Sequence, residues 1–368
     1  MYSEIQEGRA MIEYIRTEKL QIGDIIAKNL YDESGRVLLV AGKALTDTAI
    51  KVIQRYAYKG IYIDNIDEFR RESIPIPESL IDELTQIHLL KVLKSIYNNK
   101  ALQVDHLDAQ FMKDKKELHV LLEKIIDKMQ LAEEQGKLLF ELEDSRNVTT
   151  WLYFHSMKVC FLSIGIAIKL GLNRDEIMEI ALGAIYHDLG KAWFSDSVVH
   201  RKNLNDIERD MLREHPDKMF RFLQKHNYSV STLYAVWQHH EKINGTGYPS
   251  GVKAGQFARS ARIVACANVY DNLVNMNPYA EGSMYQADAI EYISANEEQD
   301  IECVKALLQI VAPYPVGTRV RLSNGEEGVV VKNVLQFPLR PILISGREMM
   351  VLHQNPNYRN ITITEVVE

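Results

Sequence analysis

The chain has 368 residues, 46% of them hydrophobic, and carries 43 Lys and Arg against 50 Asp and Glu, a formal net charge of -7. This composition supports packed globular cores and excludes a long-range positive field that would collect DNA or RNA. The three cysteines are odd in number and widely spaced, which excludes a disulfide framework and a zinc-thiolate site and predicts a reducing cytoplasm. A polyanionic substrate would therefore need local positive groups, such as bound metal ions.

Neither export nor a membrane span is predicted. The start, MYSEIQEGRA, carries acidic residues and lacks the basic flank and apolar core of a secretory signal. The most apolar stretch, residues 159–168, is about half the length that crosses a bilayer. We interpret it as a buried helix.

Residues 1–72 are predicted to form a small β-rich N-terminal module. The stretches LQIGDIIAKNLY, RVLLV and GIYID are typical of short strands, and DESG is typical of a turn. A gap with Pro75 and Pro77 leads into residues 73–145, where leucines and isoleucines recur every three or four positions and indicate two amphipathic helices. We expect these helices to form a connector. They either only pack in a core or, together with the N-terminal module, dimerise the protein or pass on a conformational change.

Residues 146–312 are predicted to be a helical bundle, and residues 313–368 to be a β-rich C-terminal extension. The stretch GTRVRLSNGEEGVVVKNV indicates a β-hairpin turned by Asn324 and Gly325, and PILIS indicates another strand. The expected fold class is therefore mainly α, with a small β-rich module before the bundle and a hairpin after it.

Seven of the 11 histidines lie between His155 and His240, inside the predicted bundle. His187 and Asp188 come near the end of the helical run RDEIMEIALGAIYHDLGK, where Gly190 is suited to end the helix. Imidazole nitrogen and carboxylate oxygen both bind divalent ions, and a carboxylate can bridge two of them. Asp188 is the natural bridge.

The remaining histidines of this region are ambiguous one at a time. His155 lies near the buried face of WLYFHSMKVCFLSIGIAI, His215 follows LNDIERDMLREHP, and the His239-His240 doublet ends TLYAVWQHHE. A hydrogen-bonded core residue or a surface residue explains each of them alone. Together with His187 and Asp188 they supply five imidazoles and one carboxylate, enough for two metal ions that would clamp a phosphodiester and activate a water molecule.

Two further features indicate contact with a phosphate ester. Lys191 could neutralise a phosphate oxygen in the transition state, or could simply be a lysine favoured at a helix C-terminus. Residues 244–249, NGTGYP, combine two glycines that let the backbone approach a ligand with Tyr248, which could stack on a base. An ordinary turn is the alternative for this loop.

The stretches HDLGK, HHEKINGTGYPSG and ARIVACANVYDNL together resemble the signature of the HD-GYP family across residues 148–279. YPVGTRVRLSNGEEGVVVKN resembles an extension found in that family, and the N-terminal module resembles one that often precedes it. The resemblance implies a helical HD bundle that holds iron or manganese ions and hydrolyses cyclic di-GMP to linear pGpG or GMP. It also implies site residues: metal ligands His155, His187, Asp188, His215, His239, His240 and Asn268; phosphate-binding Lys191; the loop Gly247, Tyr248 and Pro249; and Arg262, which either contacts substrate or forms a structural salt bridge.

Two departures from the family pattern shape the functional expectation. Asn268 stands where the family has an aspartate ligand, so it brings an amide oxygen without charge. Trp151 stands where three-metal members have a glutamate, so we expect two ions. An active phosphodiesterase is the first hypothesis, and a weakened or inactive protein that binds cyclic di-GMP or another protein is the second. A phosphohydrolase acting on another nucleotide is the third. A homodimer and a diguanylate cyclase are candidate partners.

Overall fold

The chain forms a helical unit and a β-rich unit in a computed structural model that describes residues 11–32, 36–56, 58, 60–65, 79–99, 109–140, 151–199, 201, 203–275, 283–346 and 348–367. The helical unit comprises Leu80–Leu138 and Val148–Val311, and the β-rich unit comprises Met1–Ser79, Leu139–Asn147 and Ala312–Glu368. The chain therefore leaves the β-rich unit and later returns to it. The segment boundaries expected at residues 72, 145 and 312 remain predictions.

Antiparallel sheets build the β-rich unit. Its strands are β1 (Met11–Arg16), β2 (Ile25–Ile26), β3 (Leu30–Tyr31), β4 (Val37–Leu39), β5 (Gly60–Asn65), β6 (Arg319–Leu322), β7 (Glu327–Lys332), β8 (Ile342–Ser345), β9 (Glu348–Val351) and β10 (Ile363–Val366). The sheet orders are β1-β5-β2, β3-β4 and β10-β6-β7-β8-β9. Glu13 of β1 accepts two hydrogen bonds from Arg319 of β6, at 3.0 and 2.7 Å, which join the N-terminal and C-terminal strands of this unit.

The predicted C-terminal hairpin is confirmed. Strands β6 and β7 pair in antiparallel register with Arg321 opposite Glu327, and Gly325 in the turn has a φ of +87°, a conformation that favours glycine. PILIS forms β8. The N-terminal part also contains a helix that the sequence reading missed, α1 (Asp47–Arg55). Most of DESG, together with Pro75 and Pro77, lies outside the described residues.

Amphipathic and fully apolar helices build the helical unit. They are α2 (Glu83–Tyr97), α3 (Ala109–Glu134), α4 (Trp151–Lys169), α5 (Arg174–Tyr186), α6 (Asp196–Val199), α7 (Asp206–Leu212), α8 (His215–Lys225), α9 (Val230–Trp237), α10 (Arg259–Val274), α11 (Gln286–Ala295) and α12 (Ile301–Leu308). The two helices predicted from the leucine spacing are confirmed as α2 and α3, which belong to the helical unit. The chain is therefore mainly helical, with β-rich parts at both ends, as expected from the sequence.

Helix α4 is the central helix of this unit. It is long and apolar enough to span a membrane by length and composition, but 89% of its apolar window is buried inside the protein. Its neighbours include α5 and α10. A core helix accounts for these observations, as expected from the sequence.

Capping residues fix where the helices that approach the site begin. Asn173 and Glu176 form a capping box at the start of α5, and Asn205 and Glu208 form another at the start of α7. Helices α5 and α9 then approach closely, because a Cβ on Gly183 would collide with the Cβ of Ala235. His187 and His239 each follow this contact by four residues, about one turn, so the close approach brings the two imidazoles together.

Candidate metal centre

The six His and Asp residues that the sequence singled out as ligands meet in one buried place. His155, His187 and Asp188 form one group, and Asp188, His215, His239 and His240 form a second. Within each group the candidate ligand atoms lie within 4.8 Å of one another. Asp188 is the member that both groups share.

The two carboxylate oxygens of Asp188 face different histidines. Oδ2 lies 3.6 Å from Nε2 of both His155 and His187. Oδ1 lies 3.1 Å from Nε2 of His215 and 3.8 Å from Nε2 of His239. A carboxylate placed in this way can bind one ion through each oxygen.

Hydrogen bonds fix the orientation of three of these imidazoles. Nδ1 of His187, His215 and His239 lies 2.7, 2.6 and 2.7 Å from a main-chain carbonyl oxygen three residues earlier. Because a carbonyl oxygen only accepts, each Nδ1 donates, and in the neutral ring Nε2 keeps its lone pair. Each of these lone pairs points into the cluster.

These rings are neutral at ordinary pH. Burial lowers the pKa of His187 to about 3. Burial also lowers the pKa of His215, and it lowers those of His239 and His240 well below the usual value, with neighbouring histidines adding to the effect. Burial alone would raise the pKa of Asp188, but Lys191 and His187 outweigh it and hold that pKa well below its usual range. These four histidines therefore present neutral imidazoles to an ionised carboxylate.

This donor set fits divalent cations and leaves atoms unsatisfied without them. Nε2 of His215 lies 3.3 Å from Nε2 of His239, and since both carry lone pairs, neither can donate to the other. Oδ1 of Asp188 and Nε2 of His240 are buried and have no hydrogen-bond partner. Helices α5, α7 and α9 also end at the cluster, and the partial negative charge of a helix C-terminus favours a cation.

Lys191 and Trp151 line the His155 side of the cluster. Nζ of Lys191 donates to Oδ2 of Asp188 at 2.6 Å and lies 5.3 Å from the centre of the Trp151 ring. The Trp151 ring stacks on His155, with centroids 4.9 Å apart and planes 13° apart. An indole thus packs at the position where three-metal members of the family have a glutamate.

Asp271, which the sequence reading did not assign, contacts the cluster directly. Its Oδ2 lies 2.7 Å from Nδ1 of His155, and its Oδ1 accepts a hydrogen bond from Asn275 at 2.7 Å. Asn268 is buried one turn earlier in α10, and its Oδ1 accepts a hydrogen bond from Asn272 at 2.8 Å. The three-residue spacing from Asn268 puts Asp271 on the same helix face and was the signal available in the sequence.

Two buried side chains on either side of the His239-His240 doublet hold the loop that follows it. Glu241 accepts hydrogen bonds from the backbone N–H groups of residues 250, 251 and 252, at 2.7, 3.1 and 3.2 Å. Gln238 accepts one from the N–H of Ala258 at 2.9 Å. The loop carrying Gly247, Tyr248 and Pro249 is therefore tied to the residues that flank the two imidazoles.

The glycines of the site serve close backbone contacts. A Cβ on Gly247 would lie 2.5 Å from both the His240 oxygen and the Glu241 Cα, so the backbone of this glycine packs against the doublet. The prediction that Gly190 ends the helix is wrong. Helix α5 ends at Tyr186, and Gly190 lies in a 3-10 turn, Leu189–Trp193, where a Cβ would collide with the His215 backbone.

Arg262 makes the structural salt bridge that the sequence left open. Its Nη1 donates to Oδ2 of Asp300 at 2.8 Å, and its Nε donates to the Phe257 carbonyl at 2.7 Å. These bonds connect α10 to the start of α12 and to the end of the loop. The guanidinium is thus engaged by protein groups.

The segment that contains the cluster is similar in sequence to known proteins. Residues 127–302 match the family model described as HD domain. Over 210 residues the chain is 35% identical to cyclic di-GMP phosphodiesterase PA4108 of Pseudomonas aeruginosa, which covers 55% of this chain and 50% of that protein. It is 35% identical over 150 residues to the cyclic di-GMP phosphodiesterase response regulator RpfG of Xanthomonas campestris, covering 39% of each. It is 31% identical over 149 residues to 3'3'-cGAMP-specific phosphodiesterase 1 of Vibrio cholerae, covering 40% of this chain and 34% of that one.

The chain spans half or less of the length of these relatives. The matched segment contains the His155 to His240 cluster, Lys191 and the loop with Gly247, Tyr248 and Pro249. The chain is therefore similar to HD domain proteins through residues 127–302, the segment that carries both the histidine cluster and the Gly-Tyr-Pro loop.

Proposed function

We propose that this protein is a metal-dependent phosphodiesterase that hydrolyses cyclic di-GMP to linear pGpG, to GMP, or to both. The observation that carries the proposal is the cluster of inward lone pairs around Asp188. Nε2 atoms of His215 and His239 face each other at 3.3 Å, and Asp188 offers one oxygen to each histidine group. Such an arrangement is stabilised by cations, and Oδ1 of Asp188 and Nε2 of His240 are buried without a hydrogen-bond partner.

We propose two ions, held by His155, His187 and Asp188 on one side and by Asp188, His215, His239 and His240 on the other. Borderline donors of this kind suit iron and manganese, and when bound such ions polarise a phosphodiester and supply a nucleophile from water. Trp151, stacked on His155, supports two ions over three because it brings a ring and no oxygen ligand.

Protein groups beside the cluster have separate roles in this proposal. Lys191 holds Oδ2 of Asp188 and is near enough to neutralise a phosphate oxygen as charge develops. Tyr248 stacks on His240, with ring centroids 4.5 Å apart, and forms a wall against which the substrate packs. Glu241 and Gln238 keep this wall in place through the loop backbone.

The substrate assignment rests on the relatives. Two of those compared above are named as cyclic di-GMP phosphodiesterases, and a third is named as specific for 3'3'-cGAMP. All three act on cyclic dinucleotides by name, so we assign that substrate class and cyclic di-GMP within it. A cytoplasmic location is proposed as well, because all three cysteines are free and buried. The proposals of a homodimer and of a diguanylate cyclase partner rest on the sequence alone.

The test is anaerobic purification, metal counting and a product assay on cyclic di-GMP. We expect close to two iron or manganese ions per chain and release of pGpG or GMP. Asp188→Asn should lose both ions and turnover, whereas Asp300→Asn, a control that removes a carboxylate paired with Arg262, should keep them. A metal content near zero in reducing, metal-supplemented buffer would contradict the proposal.

A second function is favoured by Asn268 alone. Its side chain supplies an amide where the family has a carboxylate, and its Oδ1 already accepts a hydrogen bond from Asn272. A protein with one weakly held ion could bind cyclic di-GMP without cleaving it and act as a binding or interaction module. Equilibrium binding of cyclic di-GMP without product, at saturating manganese, would support this alternative over the first.

A further inference from the structure

The side of the metal centre nearest to solvent is at His240, whose side chain is half-buried although its Nε2 is buried. Of the candidate ligands in the two described groups, His240 is half-buried and all the others are buried. Its ring stacks on Tyr248 with centroids 4.5 Å apart and planes 21° apart, and Tyr248 is itself half-buried. A ligand that comes from solvent to these imidazoles therefore arrives beside Tyr248.

Arg213 lies at this opening. Its guanidinium carbon is 5.5 Å from the centre of the Tyr248 ring, so His240, Tyr248 and Arg213 follow one another from the cluster outward. Arg213 ends helix α7 two residues before His215, which fixes its backbone to the site. Its side chain remains 54% exposed, and the group is open to solvent.

The guanidinium is held only loosely by its acidic neighbour. Nη1 of Arg213 lies 3.4 Å from Oδ1 of Asp210, whose side chain is 73% exposed. Ion pairs between exposed side chains contribute little, about 0–1 kcal/mol, so an anionic ligand can replace this partner. Lys191, by contrast, is buried and donates to Asp188.

We infer that Arg213 is a substrate-binding residue that contacts a phosphate of the cyclic dinucleotide at the mouth of the site; this rests on the proposed function. The chain has a net charge of -7, so an anionic substrate depends on local cations. A guanidinium binds phosphate oxygens through two parallel N–H groups, which an ammonium cannot do. The ring of Tyr248 beneath it supports the planar group and limits its orientation.

Arg209 provides a matched control on the same helix. It is 56% exposed and pairs with Asp206 at 3.3 Å with the same three-residue spacing, so it repeats the charge and the ion pair of Arg213. Within the described part of the chain its guanidinium has no aromatic ring contact. The two arginines differ in their position relative to Tyr248.

The experiment compares Arg213→Gln with Arg209→Gln in the full-length, metal-loaded protein. For Arg213→Gln we expect KM for cyclic di-GMP to rise about tenfold, the loss typical of one charge-assisted contact, with kcat within about twofold of the parent. KM should also become less dependent on salt, and Arg213→Lys should recover part of the loss. Metal content and thermal unfolding should match the parent, and Arg209→Gln should match it in every measurement.

The outcomes separate the two proposals. If Arg213→Gln and Arg209→Gln behave alike, whether both weaken binding or neither does, the Arg213 contact is wrong while the phosphodiesterase proposal stands. If the parent binds cyclic di-GMP without cleaving it, the dissociation constants of Arg213→Gln and Arg209→Gln are compared in place of KM. A weaker affinity in Arg213→Gln alone then supports the Arg213 contact, and equal affinities contradict it. If the parent neither binds nor cleaves it, the proposed function fails, and the contact fails with it.

Discussion

Asp271 Oδ2 lies 2.7 Å from Nδ1 of His155, and the other nitrogen of that ring lies 3.2 Å from Nε2 of His187. A carboxylate behind a ligating histidine fixes the ring and its protonated nitrogen, and its removal typically costs 10–100-fold in metal affinity or activity. The pair therefore sets which nitrogen of His155 faces the cluster.

We expect Asp271→Asn to weaken metal binding on the His155 side about 10–100-fold, because an amide can present N–H to Nδ1 and reverse the ring's proton. Metal titration should show one tight ion retained by the His215 group and one weakened. Asp300→Asn is the control for loss of a carboxylate in the same unit. Equal affinity for both ions in Asp271→Asn and the parent would remove Asp271 from the site.

Glu241→Ala should loosen the loop without removing a ligand. The change leaves three part-buried backbone N–H groups without their acceptor, and each should cost less than the roughly 1–3 kcal/mol of a fully buried unsatisfied donor. We expect faster proteolysis within residues 244–256 and a higher KM, with the metal count unchanged. Glu298→Ala, which removes a half-exposed ion pair with Lys242, should change neither. Parental protease resistance in Glu241→Ala would show that other contacts hold the loop.

The metal-free protein should lose stability as the pH falls below about 6.5. The folded-state pKa of His187 is about 3 against an ordinary value of 6.5, so in this window the unfolded chain takes up a proton that the folded chain does not. Stability is therefore complete above pH 6.5 and is lost as the pH falls towards 3. From pH 7 to pH 5 His187 alone accounts for about 2 kcal/mol.

Urea unfolding in chelator at pH 7 and pH 5 measures this loss, and His187→Gln should reduce it. The lowered pKa values of His215, His239 and His240 act in the same direction. A free energy of unfolding that is equal at the two pH values would mean that these rings are not neutral in the folded protein.

Asn268→Asp should raise metal occupancy and turnover together, because it adds a charged oxygen to the face of α10 that carries Asp271. The hydrogen bond from Asn272 can persist, since a carboxylate also accepts. The comparison belongs at limiting and at saturating manganese, because excess metal rescues weak affinity but not wrong geometry. Equal occupancy and equal rates under both conditions would mean that residue 268 is not a ligand.

The sequence was sufficient to locate the cluster because His187-Asp188 and His239-His240 each follow an apolar helical run, which places them at predicted helix ends. Together with His155 and His215 they supply enough ligands for two ions within one predicted bundle, and the resemblance to the HD-GYP signature assigned them to one site. The hairpin at Asn324 and Gly325 was predictable for a similar reason, since turn chemistry is local.

Features that depend on distant contacts were not predictable. The role of Glu241 depends on backbone N–H groups that lie nine to eleven residues later in the chain and reach its carboxylate only when the loop folds back. Gly190 looked like a helix terminator because the contact that explains it is with His215, 25 positions away. Helix α1 was missed because only Ala49 and Ile53 of its nine residues are buried, too few to produce a visible apolar repeat.

The hydrogen bonds from Nδ1 of His187, His215 and His239 go to carbonyls in the final turns of α5, α7 and α9. Those carbonyls have no partner within their own helix, so each imidazole caps the C-terminus of a helix through Nδ1 and faces the cluster through Nε2. The two proposed ions would consequently hold three helix ends against fraying, one through His187 and the other through His215 and His239. Amide hydrogen exchange in these last turns should slow when metal binds, and the ends of α7 and α9 should slow together because one ion joins them.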